Sequence, residues 1–293
     1  MKGIESYHPI ILFFYFMCVI FITMFTMHPV LIVGSFLGAV VFCGVLEGYK
    51  KLLKSFTYTA PMIAIMALTN PLFSHKGATI LFYLSDNPVT LEAVIYGVFV
   101  ALMFGAIFYW FRCYNIVITT EKFVFLFGRV LPKLSLILAL VLNFVPKFKQ
   151  SFSEINDAQK ALGFYSTTSY FAKIKSKFRV LSILITKSLE NSIETADSMR
   201  ARGYGLKGRS NYAMFRWTLR DTIAGFCLLS LSVLVFVLMF LGGSQFLYYP
   251  TLSKISLNGI AITLYCGLFA LMFLSVLIEI KENVLWRYLR LKI

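Results

Sequence analysis

The chain has 293 residues, 59% of them hydrophobic and only 14% charged, with a mean hydropathy of +0.78. A soluble domain carries about a quarter charged residues, so this composition excludes an ordinary water-soluble fold and favours a membrane protein. The net charge of +15 comes from lysines and arginines gathered beside apolar runs and in one central stretch. That is the pattern of loops kept on the cytoplasmic side of a membrane, not of a nucleic-acid surface.

Pro9 to Leu46 is almost uncharged and is interrupted only at Met27-His28-Pro29. At about 1.5 Å per residue against a bilayer core of roughly 30 Å, it is long enough for two spans. It predicts a helical hairpin turning at His28-Pro29, with the first run retained as a span, since no small-residue cleavage site follows it. Lys50, Lys51 and Lys54 come next and place that end, and the N-terminus, in the cytosol. A third span is expected from Phe56 to Leu72, ending at Asn70-Pro71, and an outer loop holds His75, Lys76, Asp86, Asn87 and Pro88. A fourth span, Leu91 to Phe111, returns to Arg112.

From Ile116 to Arg220 the character changes. Lys147 to Arg220 holds 14 of the 28 lysines and arginines. Leu131 to Val145 is apolar but short and bracketed by Pro132 and Pro146, so it is expected to lie under the bundle as a helix, not to cross. Two amphipathic helices follow. Val145, Phe148, Phe152, Ile155 and Ala158 recur at three- and four-residue steps, as do Ile174, Phe178, Leu181, Ile185, Leu189, Ile193 and Ala196. Two further spans, Thr222 to Leu241 and Leu257 to Ile278, precede a basic tail, Lys281 to Lys292. The expected architecture is all-α: a polytopic membrane protein of about six transmembrane helices with a cytoplasmic helical insert. Residues 1–115 supply about four spans, 116–220 the insert and 221–293 about two spans, with both termini inside.

The two amphipathic helices end alike. Aligning Gly163 with Gly203 pairs Glu154 with Glu194, Asp157 with Asp197, Lys160 with Arg200, Ala161 with Ala201 and Phe164 with Tyr204. Glycine supplies a left-handed stop, and a base in the last turn complements the helix dipole. One position breaks the match: Leu162 stands where Arg202 does. A guanidinium at a helix end suits a carboxylate on another protein, although arginines near a membrane also bind lipid phosphate. Two such ends suit a partner with two similar halves.

Other chemistry has little support. His8, His28 and His75 are far apart in sequence, and His8 and His28 each precede a proline, the mark of a span boundary. No acidic pair has the spacing that holds magnesium on a pyrophosphate, which disfavours a membrane enzyme of lipid metabolism. There is no GxxxxGK[ST] phosphate loop, so no ATP hydrolysis is expected from this chain, and neither a cofactor nor a metal site is expected. The five cysteines (Cys18, Cys43, Cys113, Cys227, Cys266) have no CxxC spacing and are not expected to form disulfides. The spans hold almost no ionisable residue, so a conduction pathway is poorly marked; the alternative readings are a membrane scaffold or an independent permease. Gly34 and Gly38, four apart, fit a helix-packing pattern.

Tyr7-His8-Pro9, Asn70-Pro71-Leu72-Phe73, Leu131-Pro132 through Phe144-Val145-Pro146, Ile155-x-x-Ala158-Gln159 and Ala201-Arg202-Gly203-Tyr204 together resemble the T component of energy-coupling factor (ECF) transporters. The likeness covers roughly residues 7 to 210; the two C-terminal spans agree in placement more than in motif. It implies a non-catalytic transmembrane subunit of a vitamin- or metal-ion importer of the ABC class. Its partners would be a membrane substrate-binding S component, two cytosolic ATPases and membrane lipid. It further implies that Arg200, Ala201, Arg202 and Gly203 dock into a groove of one ATPase and Ala161, Leu162 and Gly163 into a groove of the other. Leu162 departs from the family pattern, which leans toward two different ATPases.

Overall fold

The computed structural model describes residues 3–74, 76–84, 87–128, 131–163, 170–204, 206, 215–255 and 258–290. The chain forms two compact units, Met1–Phe123 with Phe215–Ile293, and Val124–Met214.

In the first unit, α1 (Pro9–Phe25) and α2 (Pro29–Glu47) form the expected hairpin. Proline stands first in each helix, where a missing N–H costs nothing, and the histidine before it is the N-cap. The His8 ring accepts from the Ile10 amide at 3.4 Å. Then come α3 (Tyr49–Phe73), α4 (Leu91–Val117), α8 (Leu219–Leu238), continued by a π-turn over Met239–Gly243, and α9 (Gly259–Arg290). Five of these helices are long and apolar enough to cross a membrane, and α1, at 17 residues, is a shorter sixth apolar helix of about 25 Å. The third helix starts at Tyr49, not Phe56, so Lys50, Lys51 and Lys54 lie on its first turns. Lysine is a good helix former, and its stem can lie along the helix while the ammonium reaches polar surroundings.

The stretch read as an outer loop contains an antiparallel hairpin, β1 (Ile80–Leu84) and β2 (Asn87–Thr90), with a bulge between Ile80 and Phe82. At five residues the Ile-Leu-Phe-Tyr-Leu run is too brief for periodicity alone to separate it from loop. His75 and Asp86 lie outside the described residues.

Helix α4 contacts α1, α2 and α3, while α9 packs on α2 and α8. The core centres on Phe16, Phe42, Tyr109, Trp110, Leu268 and Met272, all fully buried. Gly34 and Gly38 seat α9: a Cβ on Gly34 would lie 2.7 Å from the Phe269 ring, and one on Gly38 3.3 Å from Met272 Cβ. Several buried polar groups are paired across helices, as a water-free interior favours. Trp110 Nε1 donates to Ser35 Oγ at 3.1 Å, Tyr15 OH to Ser275 Oγ at 2.9 Å, and the Thr59 and Tyr109 hydroxyls meet at 2.9 Å. Arg112 pairs with Glu47 at 2.6 Å at the basic-flanked end of α2.

In the second unit, α5 (Thr120–Gly128), which begins in the first unit, leads to α6 (Pro132–Ala161) and α7 (Tyr170–Ala201). Ser135 Oγ donates to the Val124 carbonyl at 3.0 Å and ties α6 to α5. The two segments expected on either side of Pro146 are one helix of 30 residues. An interior proline removes one backbone bond and crowds the preceding turn, a cost of about 3 kcal/mol. The continuous apolar periodicity through Val141, Val145 and Phe148 and the cooperativity of helix growth keep the helix whole.

Candidate functional site

The ends of α6 and α7 share one backbone design. Gly163 has φ +77° and Gly203 φ +75°, the left-handed region in which a side chain costs about 1–2 kcal/mol. The Leu162 amide donates to the Ala158 carbonyl at 3.1 Å, and the Arg202 amide to that of Ser198 at 3.1 Å. The glycine amides donate to Lys160 and Arg200 carbonyls, each at 2.9 Å. At the second end the Tyr204 amide reaches back to the Met199 carbonyl at 3.0 Å, completing a Schellman motif. Phe164, its counterpart, lies outside the described residues, as do Gly205, Lys207, Gly208 and Arg209.

The side chains repeat as well. Lys160 pairs with Asp157 at 2.9 Å, and Arg200 with Asp197 at 3.8 Å, both three residues apart and both exposed. Such pairs stabilise a helix end by a few tenths of a kcal/mol. They also neutralise the Lys160 and Arg200 charges locally. Arg202 is different. It is exposed, and no acid among the described residues pairs with it. Among the described residues its guanidinium is therefore the free cation of that end, beside a small Ala201 and a side-chain-free Gly203 that leave room for close approach of another surface. Leu162, 67% exposed, presents an apolar side chain at the matching position.

Upstream of these ends the helices pack against each other. Lys187 on α7 lies 3.8 Å from Glu154 on α6. A cleft of about 240 Å³ between them is lined by Phe144, Phe148, Ser151, Leu184, Ser188 and Asn191 among others. Sequence reasoning missed the Lys187–Glu154 pair, because period and spacing within one helix carry no register between two. The apolar stripe Phe178, Leu181, Ile185, Leu189 and Ile193 is exposed along α7, as are Val145, Phe148 and Phe152 on α6. A stripe of that length on an otherwise charged helix marks a surface for contact.

Among the described residues the histidines do not cluster. His8 and His28 cap separate helices, and among the described residues no group of three or more histidine, cysteine or acidic side chains could hold a metal ion. Cys43 and Cys113 are buried and free, and Cys227 and Cys266 are exposed and free.

Comparison with known proteins bears on the same region. The family CbiQ, cobalt transport protein, matches residues 8–213, which take in both helix ends. A curated relative in Streptococcus equi, the energy-coupling factor transporter transmembrane protein EcfT, is 27% identical over 197 residues, 62% of this chain and 73% of that protein. The proteins of the same name in Streptococcus thermophilus and Bacillus subtilis are 33% and 31% identical, each over 108 residues. Those matches span 36% of this chain and 41% of each relative. With six apolar helices among the described residues, two matched helix ends and a family match across more than half its length, the chain belongs to the CbiQ family and is a transmembrane T component of the energy-coupling factor type.

Proposed function

We propose that this chain is the coupling subunit of an ECF-type ABC importer for a vitamin or a metal ion. It carries ATP-driven motion from two cytosolic ATPases to a substrate-binding S component in the membrane. The observation that carries the reading is the pair of matched helix ends, one offering an unpaired Arg202 and the other Leu162. Each end enters a groove of one ATPase. Arg202 forms charge-assisted, two-pronged bonds to carboxylates in its groove, and Leu162 packs against apolar surface in the other. The insert and both termini lie in the cytosol, as the basic flanks of the spans require. The chain itself has no catalytic step. Closure of the ATPases on ATP moves α6 and α7, and their exposed apolar stripes pass that motion to the membrane partners. The unequal ends fit two different ATPases better than two copies of one.

The test is affinity purification of the tagged full-length chain from mild detergent, with bound proteins identified and ATP hydrolysis assayed. The expected result is recovery of one or two ABC ATPases, lost with Arg202→Ala although that variant still inserts in the membrane. A folded chain recovered alone would overturn the proposal and favour a membrane scaffold or permease.

A further inference from the structure

Histidines aside, four acidic or basic side chains are buried among the described residues: Glu92, Lys122, Asp221 and Glu279. Three of them bind the main chain of one short segment, residues 4–8, just before α1. Glu279, 1% exposed on α9, accepts from the Ile4 amide at 2.9 Å. Lys122, on α5, donates from Nζ to the Glu5 carbonyl at 2.9 Å and to the last carbonyl of α4, that of Val117, at 3.0 Å. Asp221, in the first turn of α8, accepts from the His8 amide at 3.0 Å while closing its own capping box with Thr218. The His8 ring lies 4.6 Å from the ring of Trp217.

The three sources are not random. Lys122 is two residues before Val124, where the second compact unit begins, and Asp221 lies six residues after Phe215, where the first unit resumes. Residues 117–123 and 215–221 are thus the two roots of the insert, one leaving the membrane unit and one returning. Both are bonded to the same segment, and that segment is bonded to α9. A Cβ on Gly3 would lie 2.8 Å from Glu282 Cβ, so the segment's backbone rests directly on that helix. Burying an ionised group costs several kcal/mol unless it is well bonded, so three buried charges bonded to one five-residue stretch mark a position that is held against displacement. Burial pushes the Lys122 ammonium below the usual lysine range, with Glu5 opposing the shift.

We propose that residues 3–8 act as a staple that fixes both roots of the insert to α9, with Lys122, Asp221 and Glu279 as positioning residues. A displacement of the insert then reaches the membrane helices at one shared point, and not through two independent tethers. The staple can be tested without any partner; its part in transport rests on the coupling role proposed above.

The experiment is amide hydrogen exchange on the full-length chain in lipid nanodiscs. Glu279→Leu lies in neither root; it fills the carboxylate's place with an apolar side chain of similar size and takes the acceptor away from the Ile4 amide. We expect exchange to rise roughly tenfold in both 117–123 and 215–221, as follows when a buried hydrogen bond is lost from a shared anchor. The α2–α4 core is expected to stay protected. Lys122→Met should likewise raise exchange in 215–221, across the segment, and Lys122→Arg should restore much of the protection. Exchange that rises only in 117–123 with Lys122→Met, or in neither root with Glu279→Leu, would overturn the staple. A parallel capture of ABC ATPases separates the two proposals. Wild-type chain that captures none refutes the coupling role and leaves the exchange result to decide the staple. Glu279→Leu that captures ATPases normally while both roots loosen upholds the staple.

Discussion

The ends of α6 and α7 are built on one backbone and differ in kind at the residue before the glycine. Both stop at a left-handed glycine, both close the same two backbone bonds, and both pair a base with an acid three residues earlier. At the position before the glycine, one carries Leu162 and the other Arg202. On the docking proposed above, backbone geometry sets where a partner would be met, and the residue before the glycine sets how. The largest expected effect breaks this comparison at its charged end. Arg202→Ala removes the free cation from a contact that docking would bury, which typically costs on the order of 2–5 kcal/mol. ATPase capture at that end should fall at least about thirtyfold, read as the salt concentration or dilution at which the complex separates. Capture unchanged to within about twofold would remove Arg202 from the contact.

Leu162 sharpens the comparison from the other side. Full burial of a leucine stabilises by about 1.5–3 kcal/mol, so Leu162→Ala should weaken capture less than Arg202→Ala does, by roughly tenfold. Leu162→Arg makes the two ends identical in kind. If the first groove is apolar, the arginine must bury an unpaired charge there, and capture should fall below that of Leu162→Ala. Tighter capture with Leu162→Arg would show an acidic groove at both ends and take away the argument for two different ATPases.

Much of this was legible from residue order. The hairpin at His28-Pro29 followed from proline at a helix start, and the glycine stops from their place after a basic last turn. The Gly34 and Gly38 spacing marked the face that receives Phe269 and Met272. What was not legible was pairing across the fold. Lys122, Asp221 and Glu279 are scattered through more than half of the chain, and nothing in their local sequence says that one segment gathers them. The unbroken α6 was hidden for a different reason: Pro146 is a strong local stop signal that the flanking apolar periodicity overrides. Lys187 and Glu154 meet only because two helices cross, and period alone does not set a crossing.

The glycines test whether the shared backbone matters equally at both ends. An alanine at a positive φ costs about 1–2 kcal/mol whatever its surroundings. Among the described residues a Cβ on Gly163 meets nothing within 4 Å, and one on Gly203 meets only the flexible Leu206 side chain at 3.2 Å. Gly163→Ala and Gly203→Ala should therefore fray their helix ends by similar amounts, seen as faster amide exchange over 158–163 and 198–204. A large difference between them would mean that the two stops are alike in geometry but not in stability.

The smallest effect concerns the ion pairs beside the stops. The four side chains of these two pairs are between 56% and 81% exposed, so salt and water screen the attraction. Asp157→Ala and Asp197→Ala should each change the stability of the chain by no more than about 0.5 kcal/mol, measured by thermal unfolding in detergent. Their effect on capture distinguishes the two ends once more. Removing Asp197 frees Arg200, so a second guanidinium becomes available beside Arg202 and capture should tighten slightly in low salt. Removing Asp157 frees Lys160 beside an apolar Leu162, where a mobile ammonium adds little. Equal tightening at both ends would mean that any cation beside the glycine serves, and that the difference between Leu162 and Arg202 is not what tells the ends apart.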